Sequence, residues 1–244
     1  MKYNISNNII FEDHNLLVVN KLSKMPTVPL KNGGMGNTLL DAISQYCIDV
    51  KSFSGYSKHE GGVLHRLDTL TDGLVLIAKN KESFDFLINE QKKNNFEKNY
   101  IVRTTYSTKL MQGFFEFPFE SIIENRSVVV ESFFRHYGKG RKSVRPVMED
   151  CSKIVLSKAS KTKYKTIINF IKKEDNLFYF NCCLTNGFRH QIRCHLAWSG
   201  YPLIGDKLYG GIESDEFGLT CNSINFINPA TKKRQTVCLE DKLL

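Results

Sequence analysis

The chain has 244 residues, of which 41% are hydrophobic and 24% are charged. This composition is typical of a globular protein and excludes an intrinsically disordered one. No apolar run approaches the ~20 residues of a membrane span, and residues 1–13 lack the basic and apolar regions of a signal peptide. We therefore expect a cytoplasmic protein with no membrane partner, built from one large or two small domains.

The net charge of +9 is concentrated in one segment. Residues 132–173 contain twelve Lys and Arg residues against two acidic residues, whereas the rest of the chain contains 22 against 23. A segment this basic suggests a surface that faces a polyanion. A solvated, Lys-rich face would have the same composition.

Metal and disulfide chemistry find little support in the sequence. Seven cysteines form an odd set without a CxxC pair, which favours reduced, buried thiols over a disulfide framework or a zinc site. The spacing of His190 and His195 differs from the i, i+4 spacing of a zinc-binding helix. We expect no metal and no other cofactor.

In the first half of the chain, short apolar runs alternate with polar segments. The runs at residues 9–10 and 16–19 predict two strands joined by a turn. Prolines and glycines between residues 26 and 34 mark a loop, and the apolar spacing from Leu39 to Val50 predicts a helix capped by Asn37 or Thr38. The continuous apolar run at residues 74–78 fits a central strand.

In the second half, a helix is predicted to begin at Asn80, followed by a strand over residues 99–105. Residues 162–171 and 177–184 alternate as two paired strands, and a helix over residues 189–199 ends before Gly200. Strands and helices do not form regular βαβ units, which favours an α+β fold. No linker divides the chain, so we predict a single domain over residues 1–244, with a basic insertion at about 132–173.

Asp68 is the most informative single position, because it is a carboxylate in an apolar stretch beside His65 and Arg66. Burial disfavours the charged form of a carboxylate, and a neighbouring cation favours it. An aspartate placed in this way is a candidate nucleophile or base. The alternative is an aspartate that caps a turn through Thr69 and Thr71.

A second cluster of polar side chains occupies residues 185–195. At helical spacing Arg189 and Arg193 share one face, as do Gln191 and His195. Two guanidinium groups on one face repel each other unless an anion lies between them, and either a phosphate or a carboxylate such as Asp68 would serve. Solvated or helix-capping histidines remain the alternative reading for His190 and His195.

Four blocks of sequence resemble the RluA-type pseudouridine synthases. HRLDTLTDGL at residues 65–74 resembles the HRLDxxTSG signature of that family. The other three blocks follow the family's order: IFEDHNLLVVNKLSKMPTVPL at 10–30, KNYIV at 98–102, and GFRHQIRCHLAWSGYPLIGDKLYG at 187–210. Together they extend over nearly the whole chain.

The resemblance implies both a fold and a reaction. The fold is a mixed, largely antiparallel central sheet flanked by helices, with a catalytic cleft across the sheet. The reaction converts uridine to pseudouridine in ribosomal or transfer RNA without a cofactor. The target base is flipped out of the helix, leaves C1′ through N1 and rejoins it through C5.

The resemblance also implies roles for individual residues. Asp68 aligns with the catalytic aspartate, which either attacks C1′ or removes the C2′ proton. Tyr100 aligns with the tyrosine that stacks on the base, and Arg193 with the arginine that pairs with the aspartate. Arg66 aligns with the arginine that helps to extrude the nucleotide.

Further RNA contacts are expected from the polar residues of the motif blocks and from the basic segment. These candidates are His65, Arg189, His190, Gln191, Arg141, Lys142 and Arg145. Residues 133–145 combine cations with aromatics and glycines, which suits a mobile loop that closes over an RNA backbone.

The sequence departs from the family pattern at several positions. Asp72 stands where the signature has Ser, Phe188 where GRTHQIR has its first Arg, and Leu22 where Pro usually follows Lys21. No basic S4-like module precedes residue 10, and we expect a monomer. Two other functions stay open: a catalytically silent RNA-binding or ribosome-assembly protein of the same fold, and an enzyme for a small acidic substrate, which the basic segment disfavours.

Overall fold

The computed structural model describes residues 4–29 and 37–239. The predicted loop glycines Gly33 and Gly34 lie outside these ranges. The chain forms two compact units, the first comprising residues 1–98 and 220–244 and the second residues 99–219. Helices and mostly antiparallel strands are mixed without regular βαβ units, which confirms the α+β class. The prediction of a single domain stays a prediction.

Strands dominate both units, and helices are short. The described residues form the strands β1 (Ile9–Glu12), β2 (Leu16–Lys21), β3 (Asp72–Ala78), β4 (Glu97–Thr105), β5 (Ser127–Tyr137), β6 (Ser143–Val147), β7 (Tyr164–Glu174), β8 (Leu177–Leu184), β9 (Leu219–Ile227) and β10 (Arg234–Cys238). They also form the helices α1 (Leu39–Tyr46), α2 (Lys81–Lys92), α3 (Lys153–Leu156) and α4 (Gln191–Trp198). Short 3-10 turns occur at Ser6–Asn8, Ile48–Lys51, Lys139–Arg141 and Lys207–Tyr209.

The first unit is organised around β3. This strand pairs antiparallel with β2, which in turn pairs antiparallel with β1. On its other side β3 pairs parallel with β9 at Asp72 and Gly73, and β9 pairs antiparallel with β10. Every residue of β3 after Asp72 is buried. A continuous apolar run is typical of a strand that is covered on both faces, and the predicted central strand at residues 74–78 is confirmed.

Side-chain caps define where the two longer helices of the first unit begin. Thr38 and Asp41 form a reciprocal capping box at the start of α1, so Thr38 rather than Asn37 is the cap. Asn80 caps α2, because its side-chain oxygen accepts a hydrogen bond from Ser83 N at 2.9 Å. Both predicted helix starts are confirmed.

The second unit has the strand order β4-β8-β7-β5-β6. β7 and β8 pair antiparallel, as predicted, and the turn between them is shortened to residues 175–176 because β7 continues to Glu174, beyond the predicted strand end at Ile171. The predicted helix end is also confirmed, since Gly200 follows α4 with a φ of +87°. The helix begins later than predicted, because His190 has a left-handed φ of +56°.

The prediction of a mobile loop over residues 133–145 is wrong. These residues form a β-hairpin of β5 and β6, paired from Phe133 with Val147 to Tyr137 with Ser143. Alternate residues of β5 are buried, among them Phe134, so the strand follows the period-two pattern of a half-buried sheet. The basic residues of this segment therefore lie on a regular β-hairpin.

All seven cysteines lie within the described residues, and none of them is in a disulfide bond. Cys182, Cys183, Cys194 and Cys221 are buried, as expected of reduced thiols, whereas Cys238 is exposed and the other two are half-buried. The prediction of buried thiols therefore holds for four of the seven.

Candidate active site

The segment that leads to Asp68 is attached to β3. Val63 forms a bridge with Ile77, and Leu64 N donates to Leu76 O at 3.0 Å. His65 continues this attachment through its side chain, because its Nε2 accepts a hydrogen bond from Leu76 N at 3.2 Å. These contacts hold residues 63–65 against β3 immediately before the Asp68 loop.

His65 has a structural position. Its residue surface is 8% exposed, and burial, together with the charge of Lys98, holds its pKa well below the usual 6.5. The ring is therefore neutral, with Nε2 as acceptor, and it packs edge-on against Phe96 at 5.2 Å between ring centroids. The predicted role of His65 in contacting RNA does not fit this position.

Asp68 lies half-buried in a turn in which Thr71 N donates to Asp68 O at 3.1 Å. The turn is closed by the main chain. A buried cation, Lys21, lies within electrostatic reach of this loop, because the carboxylates of Asp72 and Asp68 both raise its pKa. Burial has the larger, opposite effect, and the net pKa of Lys21 is about 8. Lys21 therefore carries a positive charge at neutral pH.

The departure at Asp72 also has a definite environment. Asp72 is the first residue of β3, and its Oδ1 accepts a hydrogen bond from Thr220 Oγ1 at 2.7 Å. This contact joins the two parallel strands β3 and β9 at the first residue pair of their ladder. The second acid of the motif therefore has a structural contact of its own.

Arg66 is the exposed member of the motif. Its side chain is 62% exposed and makes an ion pair with Glu60 at 3.2 Å. An exposed pair of this kind contributes little to stability, so the guanidinium can exchange its partner for a phosphate. The position of Arg66 fits the predicted contact with RNA.

In the second unit, Arg193 and Asp206 form a buried bidentate ion pair. Arg193 Nε lies 2.6 Å from Asp206 Oδ2, and Nη2 lies 2.8 Å from Oδ1. The guanidinium also lies over the rings of Tyr209 and Phe217, at 5.0 and 5.3 Å from their centroids. Two parallel hydrogen bonds fix the plane of the guanidinium. Asp206 was missed as a site residue, although it lies in the GDKLYG block.

The predicted stacking of Arg189 on Arg193 is wrong, because α4 begins only at Gln191. Arg189 instead donates from Nη1 to Arg141 O at 3.2 Å and from Nη2 to Lys142 O at 3.1 Å. The guanidinium thereby anchors the tip of the β5–β6 hairpin. The side chains of Arg189, Arg141 and Lys142 are exposed, so the structure brings these three predicted RNA contacts together.

Gln191 and His195 share one face of α4, as predicted, and both bind Thr166. Gln191 Nε2 donates to Thr166 Oγ1 at 2.9 Å and to Lys165 O at 2.8 Å, and its Oε1 accepts from Phe188 N at 2.9 Å. Because Gln191 is buried and these atoms hold the helix start in place, the predicted RNA contact does not fit its position. His190 is half-buried and lies 3.1 Å from Tyr209 Oη.

Arg145 is buried within the hairpin. It is 4% exposed, donates to the carbonyls of Gln112 and Val144 at 2.8 Å each, and lies over the Tyr137 ring at 4.4 Å. Burial lowers the pKa of this guanidinium below its ordinary value. The predicted phosphate contact does not fit this position, because main-chain carbonyls and aromatic faces have replaced water around the group.

Phe188 explains why position 188 can differ from the family pattern. Its ring stacks on Phe134 with the centroids 5.1 Å apart and the planes 7° from parallel. The side chain therefore packs on the hairpin, and the neighbouring Arg189 is an exposed cation.

Tyr100 lies on β4 and is buried. Asp68 belongs to the first unit, whereas Tyr100 and Arg193 belong to the second. The predicted convergence of the three residues, and the ion pair of Arg193 with Asp68, stay predictions.

No helix within residues 4–29 and 37–239 is long and apolar enough to cross a membrane. No three His, Cys, Asp or Glu side chains in the same ranges are grouped so that they could hold a metal ion.

Comparison with known proteins assigns the family. The family model described as RNA pseudouridylate synthase matches residues 15–198, which include Asp68, Tyr100 and Arg193. The chain belongs to this family. Two solved pseudouridylate synthase structures have the same fold: human RNA Pseudouridylate Synthase Domain Containing 1, with a TM-score of 0.68 and 17% identity, and Domain Containing 4, with 0.65 and 16%. Each comparison covers 97% of this chain, and 84% and 89% of the human chains.

Curated relatives within the pseudouridylate synthases are longer than this chain. The chain is 26% identical over 226 residues to the uncharacterized RNA pseudouridine synthase YlyB of Bacillus subtilis, covering 91% of this chain and 65% of the relative. It is 32% identical over 212 residues to ribosomal large subunit pseudouridine synthase D of Buchnera aphidicola, covering 86% and 56% respectively. The chain thus spans less than two thirds of the length of these relatives.

Proposed function

We propose that this protein is an RNA pseudouridine synthase, with Asp68 as its catalytic aspartate. The observation that carries the proposal is the family match over residues 15–198, in which the HRLD signature supplies Asp68. The attachment of the motif to β3 supports it, because catalytic side chains need a rigid supporting framework.

The chemistry assigned to Asp68 requires an ionised carboxylate, whether it attacks C1′ or removes the C2′ proton. Two features support this assignment. Lys21 places a positive charge within electrostatic reach of the Asp68 loop. Arg193, the proposed ion-pair partner, has its plane fixed by Asp206. Tyr100 is proposed to stack on the extruded uracil.

We propose that the exposed cations of the second unit hold the RNA backbone. Arg141 and Lys142 lie at the tip of the β5–β6 hairpin, and Arg189 anchors that tip through main-chain carbonyls. In the first unit, Arg66 is an exposed cation two residues before Asp68 and is proposed to contact the RNA as well. Phosphate contacts position the nucleic acid, while extrusion of the base exposes C1′ and both uracil faces.

Ribosomal RNA is the proposed substrate, because the Buchnera aphidicola relative, which is 32% identical, is named for the large ribosomal subunit. Transfer RNA forms the second arm of the test. Uridine bonded through C5 has lost the hydrogen that C5 carried, so RNA labelled with tritium at C5 of uridine releases the label into water during the reaction.

The deciding experiment incubates labelled ribosomal and transfer RNA with the wild type, with Asp68→Asn and with Asp85→Asn. Asp85→Asn makes the same charge change at an exposed site on α2, where Asp85 pairs with Lys81 four residues away in the helix. We expect label release by the wild type and by Asp85→Asn, and none by Asp68→Asn, with RNA affinity unchanged. Full release by Asp68→Asn would overturn the role of Asp68. RNA binding without any release by the wild type would favour the catalytically silent alternative.

The RNA surface is tested by the salt dependence of binding. Each phosphate contact contributes ~0.7 to ~0.9 to the slope of log K against log salt. Arg141→Gln with Lys142→Gln should therefore lower the slope by up to about 2. Lys81→Gln with Lys92→Gln removes the same charge from α2 and serves as the control. An equal reduction of the slope in both double variants would show a general charge effect and contradict the hairpin contact.

A further inference from the structure

We propose that Thr27 is the main positioning residue for Asp68, with Ser23 and Lys21 as weaker contributors. The proposal rests on the proposed function, since it assigns a role within the same active site. It concerns residues 21–27, which begin at the last residue of β2 and contact the Asp68 loop although 40 to 48 positions separate the bonded residues in sequence.

The Thr27 hydroxyl makes two hydrogen bonds to the residue that precedes Asp68. Thr27 Oγ1 donates to Leu67 O at 2.9 Å and accepts from Leu67 N at 3.1 Å. The Leu67 carbonyl belongs to the peptide group that also contains the Asp68 nitrogen. One buried hydroxyl therefore fixes the plane of the peptide group immediately before the catalytic residue.

The peptide groups after Asp68 are held in a related way. Asp68 O accepts from Thr71 N at 3.1 Å, and Ser23 Oγ donates at 2.6 Å to Leu70 O, which belongs to the same peptide group as that nitrogen. Lys21 Nζ donates to Thr69 O at a longer 3.4 Å. Every peptide group from Leu67 to Thr71 thus has a hydrogen bond that restrains it.

Residues 21–27 are themselves shaped by Lys21. Its ammonium group donates to Leu22 O at 2.9 Å and to Met25 O at 2.8 Å, and the side chain is fully buried. The loop is folded around this ammonium, so Ser23 and Thr27 meet the Asp68 loop in fixed positions. The backbone of Asp68 is thus held by hydrogen bonds on both sides.

The burial of each side chain determines how strongly its hydrogen bonds restrain the Asp68 loop. Thr27 is buried, so water cannot replace its two hydrogen bonds, whereas Ser23 is exposed and water can replace its single bond to Leu70 O. Thr27→Val keeps the shape of the side chain and removes both bonds. A displacement of a reacting group by 1 Å can lower the rate by about 100-fold.

The test compares steady-state kinetics of RNA modification by Thr27→Val, Thr27→Ser and Ser23→Ala. For Thr27→Val we expect kcat to fall by about 10- to 100-fold while KM changes less than about 2-fold, because a buried residue does not contact RNA. Thr27→Ser retains the hydroxyl and should recover kcat to within about 3-fold, and Ser23→Ala should lose less than Thr27→Val. Thr104→Val is the matched control, since it removes a buried hydroxyl that donates to Phe178 O in the second unit.

A structural readout separates this proposal from the proposed function. Hydrogen exchange at the amides of Leu67 and Thr71 should become at least about 10-fold faster in Thr27→Val and stay unchanged in Thr104→Val. Unchanged exchange at both amides would overturn the positioning role, and so would a kcat loss that Thr27→Ser does not recover. Faster exchange in a protein whose wild type modifies no RNA would leave the restraint of the loop standing and reject the catalytic assignment instead.

Discussion

His195 connects the stability of the second unit to pH. The residue has no exposed surface, its Nε2 lies 3.0 Å from Ser132 Oγ, and its Nδ1 lies 2.9 Å from Thr166 Oγ1. Phe134 stacks on the ring with the centroids 4.9 Å apart. Burial lowers the pKa of the imidazole from 6.5 to about 3, so the folded protein keeps the ring neutral.

The size of the pH effect on the free energy of unfolding follows from proton linkage. Below pH 6.5 the unfolded chain binds a proton at this histidine, whereas the folded chain does not until about pH 3. Stability from the neutral ring is therefore present above pH 6.5 and is lost as the pH falls. Between pH 7 and pH 5 this single group lowers the free energy of unfolding by about 2 kcal/mol.

The assay is urea unfolding at pH 7 and pH 5 for the wild type, for His195→Gln and for His59→Gln. The amide of Gln replaces a hydrogen-bonding atom of the ring but does not titrate, so the loss between the two pH values should be about 2 kcal/mol smaller in His195→Gln. The exposed His59 supplies the control, and His59→Gln should behave as the wild type does. Contributions from His65 and from the carboxylates cancel in the comparison.

One result would refute this reasoning: equal losses of stability in the wild type and His195→Gln between pH 7 and pH 5. If His195→Gln does not fold, the imidazole resonances of the wild type provide the same test. They should show His195 uncharged at pH 5, and a midpoint near 6 would contradict the effect of burial.

Three further predictions concern buried groups of the two units. Asp206→Asn removes the anion from a buried bidentate pair and should lower the free energy of unfolding by about 3 kcal/mol, measured by urea unfolding; an unchanged midpoint would show that the pair adds nothing. Gly73→Ala should lower the free energy of unfolding by at least about 3 kcal/mol, because Gly73 has a φ of +110° and a Cβ there would lie 2.3 Å from Cys221 O. Gly187→Ala is the control, because a Cβ there would meet one side-chain carbon within 4 Å. Thermal melts should show a large loss of stability for Gly73→Ala and little change for Gly187→Ala. In the folded protein the pKa of Lys21 is lowered to about 8 from 10.5, so between these pH values the unfolded chain binds more protons and stability rises with pH. From pH 7 to pH 9.5 the free energy of unfolding of the wild type should rise by about 2 kcal/mol relative to that of Lys21→Met, measured by urea unfolding. Parallel pH profiles of the two proteins would contradict this.

Local sequence signals predicted much of the fold. The apolar run that becomes β3, the Asn80 cap of α2 and Gly200 after α4 each act through neighbouring residues, so a single sequence reveals them. The start of α4 was predicted too early, because nothing in the neighbouring sequence indicates the left-handed backbone conformation of His190. Such a residue is held by its surroundings in the folded chain.

The parts of the site that depend on long-range packing were not predictable. Arg189 and Arg193 do not share a helix face, so their expected mutual repulsion did not lead to the actual partners: Arg193 pairs with Asp206, and the hairpin carbonyls that receive Arg189 lie 47 and 48 positions away in sequence. Arg145 resembled its exposed neighbours in sequence, and only the fold shows that aromatic rings and carbonyls enclose it. Composition cannot separate a buried cation from an exposed one.

The anchoring of the hairpin tip by Arg189 has a consequence for how the proposed RNA-binding surface can change. The guanidinium binds the carbonyl oxygens of Arg141 and Lys142, and every amino acid has that oxygen. Substitutions at position 142 can therefore alter charge, size or hydrogen-bonding character while this contact is kept, whereas at position 141 the left-handed φ of +54° favours Gly, Asn or Asp. A library that varies position 142 freely and position 141 within these residues would change the proposed RNA-binding surface without rebuilding the protein around it.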